Sequence, residues 1–379
     1  MDSSANDFGL YQVAKGLGKT KDADKYLNRA RFWRNHWNPD LTSLGFSGFL
    51  GPRDAVGFLP QDPLSCGGCY WADDYYQGLP WEYSFNAHHD ISTMIALSGG
   101  EETFVKRLDM IFTPGKNPSG SAAYNKTIFN PGNEPSFTSP FLFNFAGRQD
   151  LTVQRSRFIA KSYYHPTPGG LPGNSDAGAM ESWVLWVMLG LYPVTGQTTF
   201  LIGSPWFSDL TISLGSSKSL HITTTGGSDN SFYVQSLKVN GKKWTKAWVS
   251  WSDVFENGGT MEFVLGSDPV RWATGDSPPS PASEFGKNEK PSKILGALPQ
   301  PTKAGDGASS VVAARCLKRS TYTATTAGSL GGVAGAVFGI SWWFRRRSRA
   351  QEELADEEEV RVVTTYESMW LTCMLIERT

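Results

Sequence analysis

The chain has 379 residues, of which 40% are hydrophobic, 13% aromatic and 19% charged. That length suggests roughly two to three structural units, and that apolar content excludes a largely unstructured protein. Its 35 Lys and Arg nearly balance 36 Asp and Glu, giving a net charge of −1, so there is no basic field to attract a polynucleotide and nucleic acid is excluded as a partner.

Apolar residues recur at helical spacing from Asp7 to Lys15 and from Lys21 to His36, joined by the short break at Gly16-Leu17-Gly18, which predicts a helical hairpin. Aromatic-rich loops are expected from Asn38 to about Leu79. Helical patterns return at Tyr83 to Leu97, Glu101 to Phe112, Pro140 to Tyr163 and Asp176 to Leu191. Paired helices separated by long loops predict an α/α toroid over residues 1–196. Alternation then takes over at Leu210 to Leu214, Leu220 to Thr224, Phe232 to Val239, Trp248 to Trp251 and Thr260 to Leu265, with Asn240-Gly241 and Gly258-Gly259 as turn signals, so a small antiparallel β unit is expected over 197–274.

Pro, Ser, Gly and Lys without any period predict a disordered linker over 275–325. Residues 326–344 carry no charge and end in Trp342-Trp343-Phe344, followed by Arg345-Arg346-Arg347. An apolar run, an aromatic belt and an arginine stop together predict a single transmembrane helix with a cytoplasmic tail over 345–379. A Gly/Ala-rich linker is the alternative.

Among the four cysteines only Cys66 and Cys69 lie close together. No further ligands complete a zinc set, which leaves a local disulfide or two free thiols ahead of redox chemistry.

Three clusters carry residues suited to chemistry. The first runs from Tyr70 to Asp90 and offers Trp71, Gln77, Trp81, Glu82, His88, His89 and Asp90; its rings and acids could equally pack a core and cap helices. The second is Asn133-Glu134 between Pro131 and Pro135, two oxygen-bearing side chains on a stiff loop that suit a hard cation, or a helix cap. The third is the Gly-rich run from Gly169 through Asn174 and Asp176 into a helix. It lacks the Gly-Lys-Ser/Thr ending of a phosphate loop, and Asp176 is either an N-cap or a carboxylate that activates water.

Four motifs, in this order, resemble glycoside hydrolase family 92, the calcium-dependent exo-acting α-mannosidases. They are Tyr75 to Ser84 with His89-Asp90, Gly132 to Phe137, Gly173 to Trp183, and Leu191-Tyr192-Pro193-Val194 with Ile202-Gly203-Ser204-Pro205. Asp7 to Trp37 matches as well, and the likeness covers residues 1 to about 270. The resemblance implies a mainly α protein, an incomplete (α/α)6 toroid lacking its N-terminal β-sandwich and first helices, and hence a truncated gene product or fragment. It implies an inverting exo-α-mannosidase with Ca2+ as cofactor and mannose-terminated glycans as substrate, its two carboxyl groups about 6.5 to 9.5 Å apart.

On the same resemblance Asp176 is the general base and Asn174 its helper. Glu134 and Asn133 are the calcium or sugar contacts, and Trp71, Trp81, His88, His89 and Asp90 shape the sugar subsite. Gln77 stands where many members carry the acid Glu. An amide cannot protonate a leaving sugar oxygen, whereas a phosphate ester leaves without help, so mannose-1-phospho-6-mannose is an expected substrate. Glu82 as a displaced acid is one rival, and an inactive, membrane-anchored mannose-binding fragment is another. The sequon Asn125-Lys126-Thr127 fits a secretory or cell-surface location.

Overall fold

The computed structural model describes residues 2–70 and 73–299. Helices α1 (Asp2–Gly16) and α2 (Thr20–Ala30) form the expected hairpin. Gly18 takes φ 65° at the turn, where Lys19 N donates to Ala14 O at 2.8 Å, a conformation that costs glycine little. A 3-10 turn at Phe32–His36 then buries Trp33 and Arg34.

The stretch expected as aromatic loops opens instead with an antiparallel hairpin, β1 (Trp37–Ser43) and β2 (Phe46–Leu50). Leu44 and Gly45 carry φ 50° and 84° between its strands, the signature of a tight hairpin turn. The helix expected over Tyr83 to Leu97 is two, α3 (Pro80–Tyr83) and α4 (Ile91–Leu97), followed by α5 (Glu101–Met110). The long helix expected from Pro140 is a 3-10 segment, Ser139–Ala146, ended by Gly147 at φ 66°, and then α6 (Gln149–Tyr163). Helix α7 (Ala179–Leu189) starts three residues later than its pattern predicts, because Asp176, Ala177 and Gly178 all lie in the left-handed region.

Strands β3 (Leu191–Pro193) and β4 (Thr199–Ile202) precede the expected strands β5 (Asp209–Ser213), β6 (Ser219–Thr225), β7 (Tyr233–Val239), β9 (Trp248–Ser250) and β10 (Gly259–Gly266), with β8 (Lys242–Trp244) between β7 and β9. Helix α8 (Trp251–Val254) leads into β10. Strands β3, β4 and β9 form one antiparallel sheet. The larger sheet has the order β5-β6-β10-β7-β8. It is mixed rather than wholly antiparallel, since β10 runs parallel to β6. Leu220, Ile222, Val234, Leu237, Val239, Met261, Phe263 and Leu265 alternate along these strands and are buried, which is the face that fixes their register.

Strands β3 and β4 pair across residue 196. The Asn144 side-chain amide also donates to Ile202 O and Ala247 O at 2.9 and 2.8 Å, sewing the helical layer to the sheet.

Residues 275–299, the described part of the expected linker, are packed rather than disordered. Ala282 and Ile294 are fully buried, and α9 (Pro291–Gly296) lies in this stretch. The cause is polar. Asp90, fully buried, accepts Trp33 Nε1 at 2.9 Å, Arg34 Nε at 2.8 Å and Ser283 Oγ at 2.6 Å. The Arg34 guanidinium also reaches Ala282 O at 3.1 Å and Glu284 at 3.3 Å. One carboxylate thus joins the N-terminal helices, the start of α4 and the trailing segment. The expected membrane helix lies outside the described residues, among which no helix is long and apolar enough to cross a membrane.

A second buried cation has no carboxylate partner in contact among the described residues. Arg107 sits 3.9 Å from the ring centre of Phe49 and 5.2 to 5.7 Å from those of Trp37, Trp81 and Phe85, donating to Gly48 O at 2.6 Å. Desolvation pushes its pKa down to about 9, and the surrounding ring faces compensate the charge. Trp81 is therefore a wall of this cage, fully buried, with its indole N–H on Ser43 Oγ at 3.0 Å. It offers no face to a sugar.

Glu82 is also interior. Its Oε2 accepts Leu79 N at 2.8 Å and its Oε1 accepts Ser136 Oγ at 2.6 Å, tying α3 to the 3-10 turn Glu134–Ser136. Burial lifts its pKa to about 7 against these two bonds.

Two outcomes follow. Asp90→Ala should cost about 3 to 5 kcal/mol in urea unfolding, because it leaves the Arg34 charge buried and uncompensated, while Asp90→Asn should cost less. Folding raises the Glu82 pKa, so the native state holds the extra proton and this group's contribution declines as pH rises from about 4.5 to 7, by up to about 3 kcal/mol. Stability measured across that window should fall less steeply in Glu82→Gln than in the parent.

Candidate active site

The site is made where two backbones touch. A Cβ on Gly132 would stand 2.6 Å from Pro172 O, and one on Gly173 would stand 2.5 Å from Gly132 O, so both positions require glycine for steric reasons. Around this crossing Tyr124 Oη donates to Pro172 O, Tyr164 Oη donates to Pro131 O at 3.4 Å, and Trp183 Nε1 donates to Phe137 O at 2.9 Å. Tyr164 and Trp183 stack with ring centres 5.3 Å apart.

The crossing carries Asn133 and Glu134 against Asp176, and Gln77 completes the group. Gln77 Nε2 donates to Asn133 Oδ1 at 2.8 Å and to Glu134 Oε2 at 3.2 Å, while Asn133 Nδ2 donates to Gln77 O at 2.6 Å. Asn133 is buried, Glu134 half-buried, and Gln77, Asn174 and Asp176 are exposed, so the cluster opens on one side. Gln77 and Asp176 have φ 53° and 46°. Non-glycine residues held there carry strain of about 1 to 3 kcal/mol, and such strain concentrates at functional sites.

The Glu134 carboxyl neighbours that of Asp176, and its Oε1 is buried with no donor among the described residues. Burial first, and then the Asp176 carboxylate, raises the Glu134 pKa. Two carboxyl groups in this relation need a shared proton or a cation between them. Among the described residues no group of three or more His, Cys, Asp or Glu could hold a metal ion. The oxygens of Asn133 and Glu134 are of the kind a hard cation takes, and they form part of a shell rather than a whole one.

A cleft of about 540 Å3 adjoins Gln77. Its walls include Cys66, Cys69, Asn117, Ser121, Tyr124 and Asn130, and no Lys or Arg among the described residues lines it. Cys66 and Cys69 are joined by a disulfide, one of the two states expected for them. Sequence reasoning misses the wall from Asn117 to Asn130. Its side chains are ordinary amides and hydroxyls, and only Pro and Gly mark it as a loop.

The remaining sequence candidates lie elsewhere. His89 is buried, stacked on Phe8 with ring centres 5.1 Å apart, and its Nε2 donates to Ala30 O at 2.8 Å. Asp90 is consumed by Trp33, Arg34 and Ser283. The His88 carbonyl accepts Gln197 Nε2 at 3.0 Å, and burial pushes its imidazole down to about 4, so it is neutral at physiological pH. His89 and Asp90, like Trp81, are buried and bonded to other parts of the fold. Glu82 lines the cleft but has both oxygens bound, so it cannot serve as a displaced acid without breaking two buried bonds. Trp71 lies outside the described residues.

Comparison with known proteins bears on this cluster. The family model for the glycosyl hydrolase family 92 catalytic domain matches residues 1–267. An uncharacterized secreted glycosidase of Arthroderma benhamiae is 34% identical over 299 residues, which cover 74% of this chain and 37% of that protein. The solved family 92 α-mannosidase of Bacteroides thetaiotaomicron in complex with mannoimidazole is 28% identical with a TM-score of 0.67, over 78% of this chain and 39% of its own. An inverting family 92 mannosidase of the same organism, at 23% identity and a TM-score of 0.64 over 74% of this chain and 39% of its own, shares the fold. The chain thus spans about two fifths of the length of these relatives. The match runs through all four motifs: the chain belongs to glycosyl hydrolase family 92.

Proposed function

We propose that the native protein is a calcium-dependent exo-α-mannosidase that works with inversion, with Asp176 as general base. The observation that carries this reading is the convergence of Gln77, Asn133, Glu134 and Asp176 in one open cluster, with strained backbone at Gln77 and Asp176. The mannoimidazole complex of a relative supports mannose as the sugar, and the secreted relative supports an extracellular or secretory setting.

Asp176 is exposed on a sharp turn, where its carboxylate can take a proton from water as that water attacks the anomeric carbon. Glu134, with Asn133 behind it, would hold a Ca2+, which supplies positive charge for the sugar hydroxyls and relieves the crowding of the two carboxyl groups. Asn174 stands exposed two residues before the base and would orient the water or the ring.

Gln77 occupies the leaving-group side with a neutral amide, and its side-chain N–H groups donate to Asn133 and Glu134. It can hydrogen-bond the leaving oxygen but cannot give it a proton. A leaving group that departs as an anion, such as the phosphate of mannose-1-phospho-6-mannose, fits this arrangement. Among the described residues the lining of the adjoining cleft has no Lys or Arg, so that lining supplies no counter-charge for the phosphate. A neutral glycan remains the second reading, favoured by that same lining.

Purified native protein should release mannose from mannose-1-phospho-6-mannose faster than from α-1,2-mannobiose. Asp176→Asn should lower turnover by about 10²- to 10⁴-fold, and chelation of calcium should abolish it. Gln77→Glu should raise mannobiose cleavage. Rapid cleavage of mannobiose by the parent would sink the phosphate assignment, and turnover untouched by both Asp176→Asn and chelation would sink the hydrolase mechanism. Gly132→Ala should abolish turnover while leaving distant structure intact in circular dichroism, since the added methyl forces the two loops apart.

A further inference from the structure

The short segment that ends at Gln77 is organised around one peptide group. The Cys66–Cys69 disulfide closes a four-residue ring in which Cys69 N donates to Cys66 O at 3.1 Å. Cys69 takes φ 56° and Gly67 φ 68°. The Asp73 carboxylate fills the concave side of that ring: its Oδ2 accepts Gly68 N at 3.0 Å and Tyr70 N at 2.8 Å, and a Cβ on Gly67 would stand 2.9 Å from its Oδ1.

The turned carbonyl of Cys69 then accepts Gln77 N at 3.0 Å. On its other side the Gln77 carbonyl accepts Asn133 Nδ2 at 2.6 Å. Gln77 is therefore clamped at both ends of its backbone, which is what a non-glycine residue at φ 53° needs to stay there.

Global stability does not account for the disulfide. Its effect on the unfolded chain grows with the length of loop closed, and a four-residue ring is at the bottom of that scale. Its leverage is local, on the direction in which the Cys69 carbonyl points.

We propose that Cys66 and Cys69 are positioning residues for the acid-position side chain, their disulfide holding the Cys69 carbonyl on Gln77 N and so keeping Gln77 against Asn133 and Glu134. This rests on the reading of Gln77 as part of the catalytic cluster. Opening the bond takes two electrons and two protons from a dithiol, which leaves as its own cyclic disulfide while Cys66 and Cys69 become thiols. Both sulfurs belong to half-buried residues on the cleft wall, within reach of such a reagent.

The test uses the native protein in three forms: oxidised, reduced with dithiothreitol, and as the Cys66→Ser/Cys69→Ser variant. Hydrogen exchange at the Gln77 amide should quicken by about tenfold or more in the second and third forms. Turnover should fall about 10- to 100-fold with KM little changed, reoxidation should restore the reduced sample, and the thermal midpoint should hold. Unchanged exchange at Gln77, or a loss of turnover matched by a drop in the thermal midpoint, would overturn the proposal. If the oxidised protein shows no mannosidase activity, the hydrolase reading fails, and the exchange measurement still decides whether the disulfide positions Gln77.

Discussion

Everything at the candidate site depends on the contact between the backbones at Gly132 and Gly173. Neither glycine supplies chemistry, yet their lack of side chains lets two loops lie at van der Waals distance. That approach turns two unrelated stretches of chain into one cluster of oxygen donors. The aromatic hydroxyls and indole around it, from Tyr124, Tyr164 and Trp183, commit their polar atoms to backbone carbonyls of these loops. Gln77, Asn174 and Asp176 are left exposed beside the more buried Asn133 and Glu134.

The protein handles its buried charge in three different ways. Asp90 and Arg34 neutralise each other within hydrogen-bonding distance. Arg107 is surrounded by ring faces and bonds to a carbonyl. Glu82 sits among polar hydrogens with its carboxyl poised near neutrality. At Glu134 and Asp176 two carboxyl groups confront each other, with no donor among the described residues on the buried Glu134 Oε1. This contrast sets the site apart from the structural ionic contacts elsewhere in the chain.

Much of the fold is legible in the amino-acid order where one face is buried and one is wet. Strands β5, β6, β7, β9 and β10 follow from alternation, and the α1–α2 hairpin follows from its apolar spacing. The β1–β2 hairpin escapes because Asn38, Pro39 and Asp40 interrupt any alternation, and Trp37 is satisfied by a glycine beneath its ring. The packed stretch after residue 275 escapes because its attachments, the Ser283 hydroxyl, Glu284 and the isolated apolar Ala282 and Ile294, are scattered singly among Pro, Ser and Lys, and composition cannot distinguish them from linker. The site motifs can be recognised by residue type, but nothing in their spacing says that Gln77 meets Glu134. The burial of Trp81, His89 and Asp90 is not legible for a physical reason: large rings and acids between loops look alike whether they face a ligand or the interior.

The clamp on Asp90 also bears on where this protein should be cut. The family match ends at residue 267, yet Ser283, Ala282 and Glu284 complete the shell around Arg34. A recombinant version trimmed to the family boundary would strip the cover from a charged pair and bare the surface under Ala282 and Ile294. Tags, fusions and crystallisation truncations therefore belong beyond residue 299, because packing continues past the family boundary at least to Ile294.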